Sequence, residues 1–320
     1  MKTLLLIGGS GFFGKSFLAA FQQGQLSPWG IDKVIVLSRN AKQLQIECPQ
    51  LISAQVELIN SDIANAMTLP YADIVIHAAA STDAARYISQ GEAERQNIQS
   101  GVKNFCQLAV KFCADSKILF VSSGAVYGQQ PEDMLTISEN FLFTELSQNP
   151  RFSHKLDYAY AKRDAEQHIR HLAQQNLHVS IARCFAFVGP WLPRNQHFAI
   201  GNFIADGINK SPITVKARLA VYRSYMYADE LVRWLMTIAV NATTDCPIYN
   251  VGSDKAMLIG DVAHMVARLC ECETEIPVLD DPCVDRYIPS IEKAKNELGL
   301  TIEIDLEAAI KKTLAGIIRC

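Results

Sequence analysis

Residues 3–14 read TLLLIGGSGFFG, and this stretch decides the fold. Thr3 to Ile7 is a short apolar run of the kind that forms a strand covered on both faces. It ends in Gly8-Gly9-Ser10-Gly11-Phe12-Phe13-Gly14, and the residues from Phe13 to Gln22 carry the periodicity of a helix. Three glycines at this spacing, between a strand and a helix, read as a phosphate-binding turn. Gly8 permits the tight turn, Gly11 lets the backbone approach a pyrophosphate, and Gly14 lets the helix pack on the strand. The helix N-terminus adds N–H groups and a positive dipole end. A secretory signal is the competing reading, because Lys2 precedes four aliphatic residues. The apolar run stops at Gly8-Gly9, short of the ~7–15 residues such a signal has. A cytoplasmic protein is expected.

The same alternation continues downstream. Strands are predicted at Thr3–Ile7, Lys33–Leu37, Gln55–Ile59, Asp73–Ile76, Lys117–Val121 and His178–Arg183, and helices at Phe13–Gln22, from about Glu92 to Ala114, and from about Tyr158 to Gln175. Strands alternating with helices predict an α/β fold, a Rossmann-like, doubly wound parallel sheet. After Gly189-Pro190 the rhythm changes. A loop over Trp191–His197, a helix near Asn202–Ile208, a strand near Ile213–Val215, the segment Tyr222–Tyr227, and helices around Asp229–Val240, Ile259–Leu269 and Leu306–Ile318 predict a smaller mixed part. We therefore expect a nucleotide-binding domain over residues 1–185 and a smaller, interleaved substrate-binding part over residues 186–320.

Composition narrows the partners. The 320 residues are 49% hydrophobic and 20% charged, which suits a folded globular chain. A net charge of −3 provides no basic field for nucleic acid or anionic lipid, and no apolar run approaches the ~18 residues of a membrane helix. Nine cysteines at irregular spacing read as reduced thiols rather than a disulfide framework. Cys270-Glu271-Cys272 with Cys283 lacks further ligands at zinc spacing, so no metal site is expected.

Two further stretches carry chemistry. The second predicted strand ends Val36-Leu37-Ser38-Arg39-Asn40, with a hydroxyl and an arginine but no acid. A carboxylate there would bind the ribose 2′-hydroxyl of NAD, whereas Arg39 can pair with a 2′-phosphate, so NADP is favoured over NAD. Asp62, after the third strand, either accepts the adenine amino group or caps the next helix. Tyr158 and Lys162 are one helical turn apart, and an ammonium beside a phenol favours the phenolate. Such a pair can move a proton to or from a hydroxyl while a hydride moves to or from nicotinamide. Ser122 and Ser123 end the Lys117–Val121 strand, at the sheet edge where ligands bind in open α/β folds.

Together, the glycine turn, Asp62, His77-Ala78-Ala79-Ala80, Asn97, Ser122-Ser123-Gly124-Ala125-Val126-Tyr127-Gly128, the Tyr158/Lys162 pair and Arg183-Cys184-Phe185 leading to Val188-Gly189-Pro190 occur in a set order. The chain resembles the extended short-chain dehydrogenase/reductase family, the NAD(P)-dependent epimerase/dehydratase group acting mostly on nucleotide sugars. The resemblance implies that Tyr158 is the acid/base, that Lys162 lowers its pKa and holds the nicotinamide ribose, and that Ser123 bonds the reacting sugar oxygen. It places Gly8, Ser10, Gly11, Phe12, Phe13, Gly14, Ser38, Arg39, Asp62, Ile63, Ala78, Ala79, Ala80, Asn97, Val121, Ser122, Phe185 and Val188 at the cofactor with Tyr158 and Lys162. Thr82, Ser123, Asn202, Arg223 and Arg286 fall at the substrate, the two arginines facing its diphosphate. A homodimer is implied through the helices around Glu92–Ala114 and Tyr158–Gln175.

Departures narrow the reaction. Ala186-Phe187 replaces a usual asparagine before Val188-Gly189-Pro190, and Ser100-Gly101 stands where Gly-Thr is usual after Asn97. Family dehydratases carry an acidic pair directly after the Ser/Thr, and decarboxylases keep an acid there. Here those positions are Gly124 and Ala125, which cannot move a proton, so dehydration and decarboxylation are disfavoured. A 4-ketoreductase making a 6-deoxy sugar nucleotide for surface polysaccharide is the favoured reading, with a 4-epimerase holding NAD as the alternative. A catalytically silent NADPH-binding scaffold or redox sensor is the reading of another kind, and a reductase of non-nucleotide carbonyl compounds is a further enzyme alternative.

Overall fold

A computed structural model describes residues 2–80, 84–141, 153–194 and 196–317. In chain order the first elements are β1 (Lys2–Ile7), α1 (Phe12–Gln22), β2 (Ile31–Ser38), α2 (Ala41–Glu47), β3 (Val56–Asn60), β4 (Ile74–His77), α3 (Ala84–Phe112), β5 (Lys117–Ser123), α4 (Ser153–Gln174) and β6 (His178–Cys184). There follow β7 (Phe187–Val188), α5 (Ala199–Ile208), β8 (Ile213–Thr214), β9 (Ala220–Arg223), β10 (Met226–Tyr227), α6 (Ala228–Val240) and β11 (Ile248–Val251). The chain continues through β12 (Met257–Leu258), α7 (Ile259–Cys270), β13 (Thr274–Glu275), β14 (Val284–Tyr287), α8 (Glu292–Leu298) and α9 (Leu306–Ile317). These elements form two compact units. The first comprises Met1–Val126, Asn149–Cys184 and Val232–Tyr249, and the second Tyr127–Gln148, Phe185–Leu231 and Asn250–Cys320.

In the first unit a seven-stranded sheet runs β11-β6-β5-β4-β1-β2-β3, parallel from β3 through to β6. Strand order reverses between β1 and β4, which is where a doubly wound sheet opens its ligand crevice. Leu4, Leu5, Leu6 and Ile7 are all 2% exposed or less, as expected of a strand covered on both faces. On one face, Ile98, Val102, Phe105 and Ala109 of α3 and Ala161, Ala165, Ile169 and Leu172 of α4 share a core with Val75, Ile118, Phe120 and Ile181. Their helical spacing turns one stripe of each helix to the sheet. Each large side chain so buried contributes about 1.5–3 kcal/mol.

α3 begins earlier than its sequence suggests and contains a break at Gln90 (φ −147°, ψ 40°), next to Gly91. A Cβ at Gly91 would meet the carboxylate of Asp157 of α4, which would have to turn aside. Beyond the break, Arg95 and Gln99 both reach Asp164 of α4, at 3.1 and 2.6 Å. The helix that follows Tyr158 in sequence is thereby clamped to its neighbour.

The second unit is built from small sheets. β9 pairs antiparallel with β12 and parallel with β14, β10 pairs with β7, and β13 pairs with β8. A buried amide organises part of it. Asn250 accepts the Tyr127 hydroxyl at 2.8 Å and donates to the carbonyls of Ile137 and Ser290 at 2.9 and 3.1 Å. Among the described residues no helix is long and apolar enough to cross a membrane.

Candidate active site

The glycine turn joins β1 to α1. Gly8 has φ +87°, and a Cβ there would stand 2.5 Å from the Cα of Ala79. The backbone of residues 78 and 79 lies against the turn, because Ala78 N–H donates to Ile7 O at 2.8 Å and extends the ladder between β4 and β1. At Gly14 a Cβ would run into the backbone of Gly9, so helix and turn touch without side chains between them. Gly11 is different: it is exposed, and a Cβ would meet only Gly8 O, at 3.9 Å. It is also the N-cap of α1, with no side-chain cap bond and no acidic residue in the first helical turn. An open backbone cradle at an uncapped helix N-terminus suits a dinucleotide's diphosphate, so these residues fit NAD(P).

The rim of the turn is set by side chains. Ser10 and Ser38 share a hydrogen bond of 2.7 Å, and Asn40 N–H donates to Ser38 Oγ at 3.3 Å. The Arg39 side chain is 60% exposed and comes within 3.9 Å of Asp62. Asp62 also accepts the Ala64 N–H at 3.0 Å, so its carboxylate caps a local turn. Ile63 is buried, and its carbonyl accepts Asn104 Nδ2 at 2.7 Å. Asn97 occupies an exposed position on α3.

The acid/base candidates stand where β5 meets α4. Lys162 is 2% exposed. Its Nζ donates to Val121 O at 2.9 Å and lies 5.0 Å from the Phe120 ring centre and 5.9 Å from that of Tyr158. Burial pushes the Lys162 pKa down to about 8, against upward pulls from Cys184 and Glu166. The Cys184 thiol is itself raised by burial and stays protonated. His77, at the end of β4, is fully buried, and neither ring nitrogen has a hydrogen-bond partner among the described residues. Burial and then Lys162 push its pKa down to about 3, so it stays neutral. Ser123 Oγ accepts the Ala125 N–H at 3.2 Å. The Ser122 hydroxyl is committed elsewhere, donating to Glu166 Oε1 at 2.6 Å.

A pH effect follows from the lysine. Its folded pKa of about 8 lies below the ordinary 10.5, so the cost of holding it charged is fully present below pH 8 and disappears as pH rises through 10.5. Relative to Lys162→Met, the wild-type chain is expected to gain roughly 3 kcal/mol of stability over that interval. Urea unfolding of both proteins across the range reads this difference, and parallel stability curves would contradict it.

In the second unit, Phe185 packs on Tyr287 with ring centres 4.6 Å apart, and Val188 is fully enclosed in β7. Asn202 lies on α5 and donates to Gln196 O at 2.7 Å, while its Oδ1 is buried with no partner among the described residues. The two arginines separate. Arg286 registers with Tyr222 and Arg223 with Tyr287, which sets the arginines on opposite faces of the β9–β14 pair. Arg286 lies over the Tyr222 ring at 4.3 Å and donates from Nε to Glu132 O at 3.2 Å. Arg223 pairs with Asp285 at 2.7 Å and donates to the carbonyls of Tyr222 and Asp285. The expected joint grip on one diphosphate is therefore not what strand register provides. Thr82 lies outside the described residues.

The sequence profile of the NAD dependent epimerase/dehydratase family matches residues 4–252. The chain belongs to that family. Its members are NAD-dependent enzymes of the extended short-chain dehydrogenase/reductase type. Relatives include UDP-glucuronic acid decarboxylase 1 of Xenopus tropicalis, 26% identical over 319 residues that cover 98% of this chain and 71% of that protein. UDP-glucuronic acid decarboxylase 6 of Arabidopsis thaliana is 25% identical over 313 residues, covering 96% of this chain and 86% of that one. The fold is shared with a dTDP-glucose 4,6-dehydratase from Streptomyces venezuelae solved with NAD bound, at a TM-score of 0.81 and 19% identity over 99% and 97% of the two chains. A UDP-glucose 4-epimerase from Thermotoga maritima superposes at 0.77, with 18% identity over 99% and 98%.

Within this family member, sequence reasoning passed over Glu166, Asp285 and the electrostatic place of His77. Glu166 had a signal, since it continues the four-residue spacing of Tyr158 and Lys162 along one face of α4. Asp285 and His77 had none, because their partners, Arg223 on β9 and Lys162 on α4, lie far away in the sequence.

Proposed function

We propose that this chain is a nucleotide-sugar oxidoreductase acting at C4 of the sugar, and that it works as a 4-ketoreductase with NADPH to give a 6-deoxy sugar nucleotide for surface polysaccharide. The observation that carries the reading is the acid/base set at the end of β5, with Lys162 buried 5.9 Å from the Tyr158 ring and Gly124 and Ala125 following Ser123. Tyr158 gives its phenolic proton to the C4 oxygen, Lys162 steadies the phenolate left behind, and Ser123 holds the same oxygen by a hydrogen bond. When bound, the nicotinamide supplies a hydride for C4 or accepts one from it. Gly124 and Ala125 cannot provide the further proton transfers of dehydration. For the diphosphate, Arg286 is the receptor, with its guanidinium over Tyr222, while Arg223 stands on the opposite face of the β9–β14 pair and is held by Asp285. The α3 and α4 faces are the pairing surface of a homodimer.

Arg39 carries the preference for NADPH. Its loss to alanine is expected to lower the ratio of NADPH to NADH affinity by about 10- to 150-fold, the worth of one charged hydrogen-bond set. Fluorescence titration with both cofactors measures it, and an unchanged ratio would assign Arg39 to solvent.

A 4-epimerase with bound NAD is the second reading, favoured by the Asp62 carboxylate 3.9 Å from Arg39, which offers the guanidinium a partner other than phosphate. A panel of nucleotide-linked sugars and their 4-keto derivatives separates the two. One NADPH consumed per sugar converted supports reduction; conversion without net consumption supports epimerisation.

A further inference from the structure

Beneath the Tyr158 and Lys162 pair lies a buried set of charges that the proposed chemistry does not use. Glu166 is 3% exposed and Arg183 of β6 is 2% exposed. Arg183 grips the carboxylate with Nε on Oε1 at 3.0 Å and Nη2 on Oε2 at 2.8 Å. Oε1 also accepts the Ser122 hydroxyl at 2.6 Å. A buried ion pair is seldom the most stable way to fill such space, and apolar side chains of similar volume commonly serve as well. What this pair adds is charge and direction at one place.

The groups that face Lys162 make the point. From β4 comes His77, from β5 the Phe120 ring and the Val121 carbonyl, from β6 Cys184, and from α4 itself Tyr158 and Glu166. Burial holds His77 neutral, and the upward pulls on Lys162 come from Cys184 and Glu166, of which Glu166 is the carboxylate gripped by Arg183. The hydrogen bond from Ser122 to Glu166 also ties the end of β5, one residue before Ser123, to α4.

We propose that Glu166 is a positioning residue, whose carboxylate, held by Arg183, keeps Lys162 an ammonium and ties Ser122, and with it Ser123, to the helix that carries Tyr158. The inference rests on the acid/base roles proposed for Tyr158 and Lys162 and not on the identity of the sugar. Glu166→Gln retains an oxygen for Ser122 and leaves the charge of Arg183 unbalanced. In the full chain carrying ¹³C at lysine Cε, with the Lys162 signal assigned through Lys162→Met, the midpoint of Lys162 is expected to fall by about one pH unit or more. The alkaline limb of kcat moves the same way, and KM for the cofactor changes by less than about threefold.

The doubly neutral variant, Glu166→Gln with Arg183→Gln, removes both charges and guards against a variant that fails to fold. Its Lys162 midpoint should fall between those of wild type and Glu166→Gln. A Lys162 titration unmoved in either folded variant would overturn the proposal and leave the pair a structural one. If no nucleotide sugar is turned over but the midpoint still shifts, the assignment of Glu166 stands and the sugar chemistry falls.

Discussion

Replacing Tyr158 by phenylalanine is expected to lower kcat by about 100- to 10,000-fold, the usual worth of a positioned acid/base. The substitution removes one hydroxyl at a half-buried position and leaves Lys162 bonded to Val121 O, so the fold and the glycine cradle persist. NADPH should therefore bind within about threefold of the wild-type affinity, which isothermal titration can measure beside the rate. A loss of binding in proportion to the loss of rate would mean that Tyr158 holds the cofactor instead of moving a proton. Retention of the wild-type rate would remove it from the chemistry altogether.

The second large effect belongs to the turn. Gly14→Ala should cost about 1–3 kcal/mol or more, because its Cβ would run into the backbone of Gly9, which has no flexible end to move aside. Gly11→Ala is the informative contrast. A Cβ there meets only Gly8 O at 3.9 Å, and the φ of −87° suits any residue. Its midpoint of thermal unfolding should match that of the wild type while NADPH affinity falls at least about tenfold, since the methyl group fills the space into which the diphosphate settles. Calorimetry and cofactor titration on the pair separate the two roles. Equal loss of stability in both variants would contradict the assignment of Gly11 to phosphate approach.

Much of this architecture is written locally. Leu4 to Ile7, Ile74 to Ile76 and Ile118 to Val121 are unbroken apolar runs because both faces of a central parallel strand are covered, and that pattern needs no partner to be read. The long helices announce themselves by apolar residues at helical spacing, such as Ile98, Val102 and Phe105. Short elements do not: α2 and α8 span seven residues each, and β11 joins β6 from far along the chain. For the candidate site, Tyr158 and Lys162 stand out in the sequence because they are one helical turn apart, and the glycines because they share one loop. The faces of Arg223 and Arg286 do not, since they depend on the register of β9 against β14, strands separated by the whole of α6 and α7. Asp285 then takes up one arginine from a position that only pairing reveals.

In the proposed reaction, redox chemistry at C4 of a nucleotide-linked sugar runs through Ser123, Tyr158 and Lys162. It is tested most directly with NADPH carrying deuterium at the transferable position of the nicotinamide, incubated with a nucleotide-linked 4-keto-6-deoxy sugar. Mass and NMR spectra of the product should place one deuterium on C4 with the wild-type chain and none with Tyr158→Phe over the same period. Deuterium at another carbon, or a product free of label, would contradict the account.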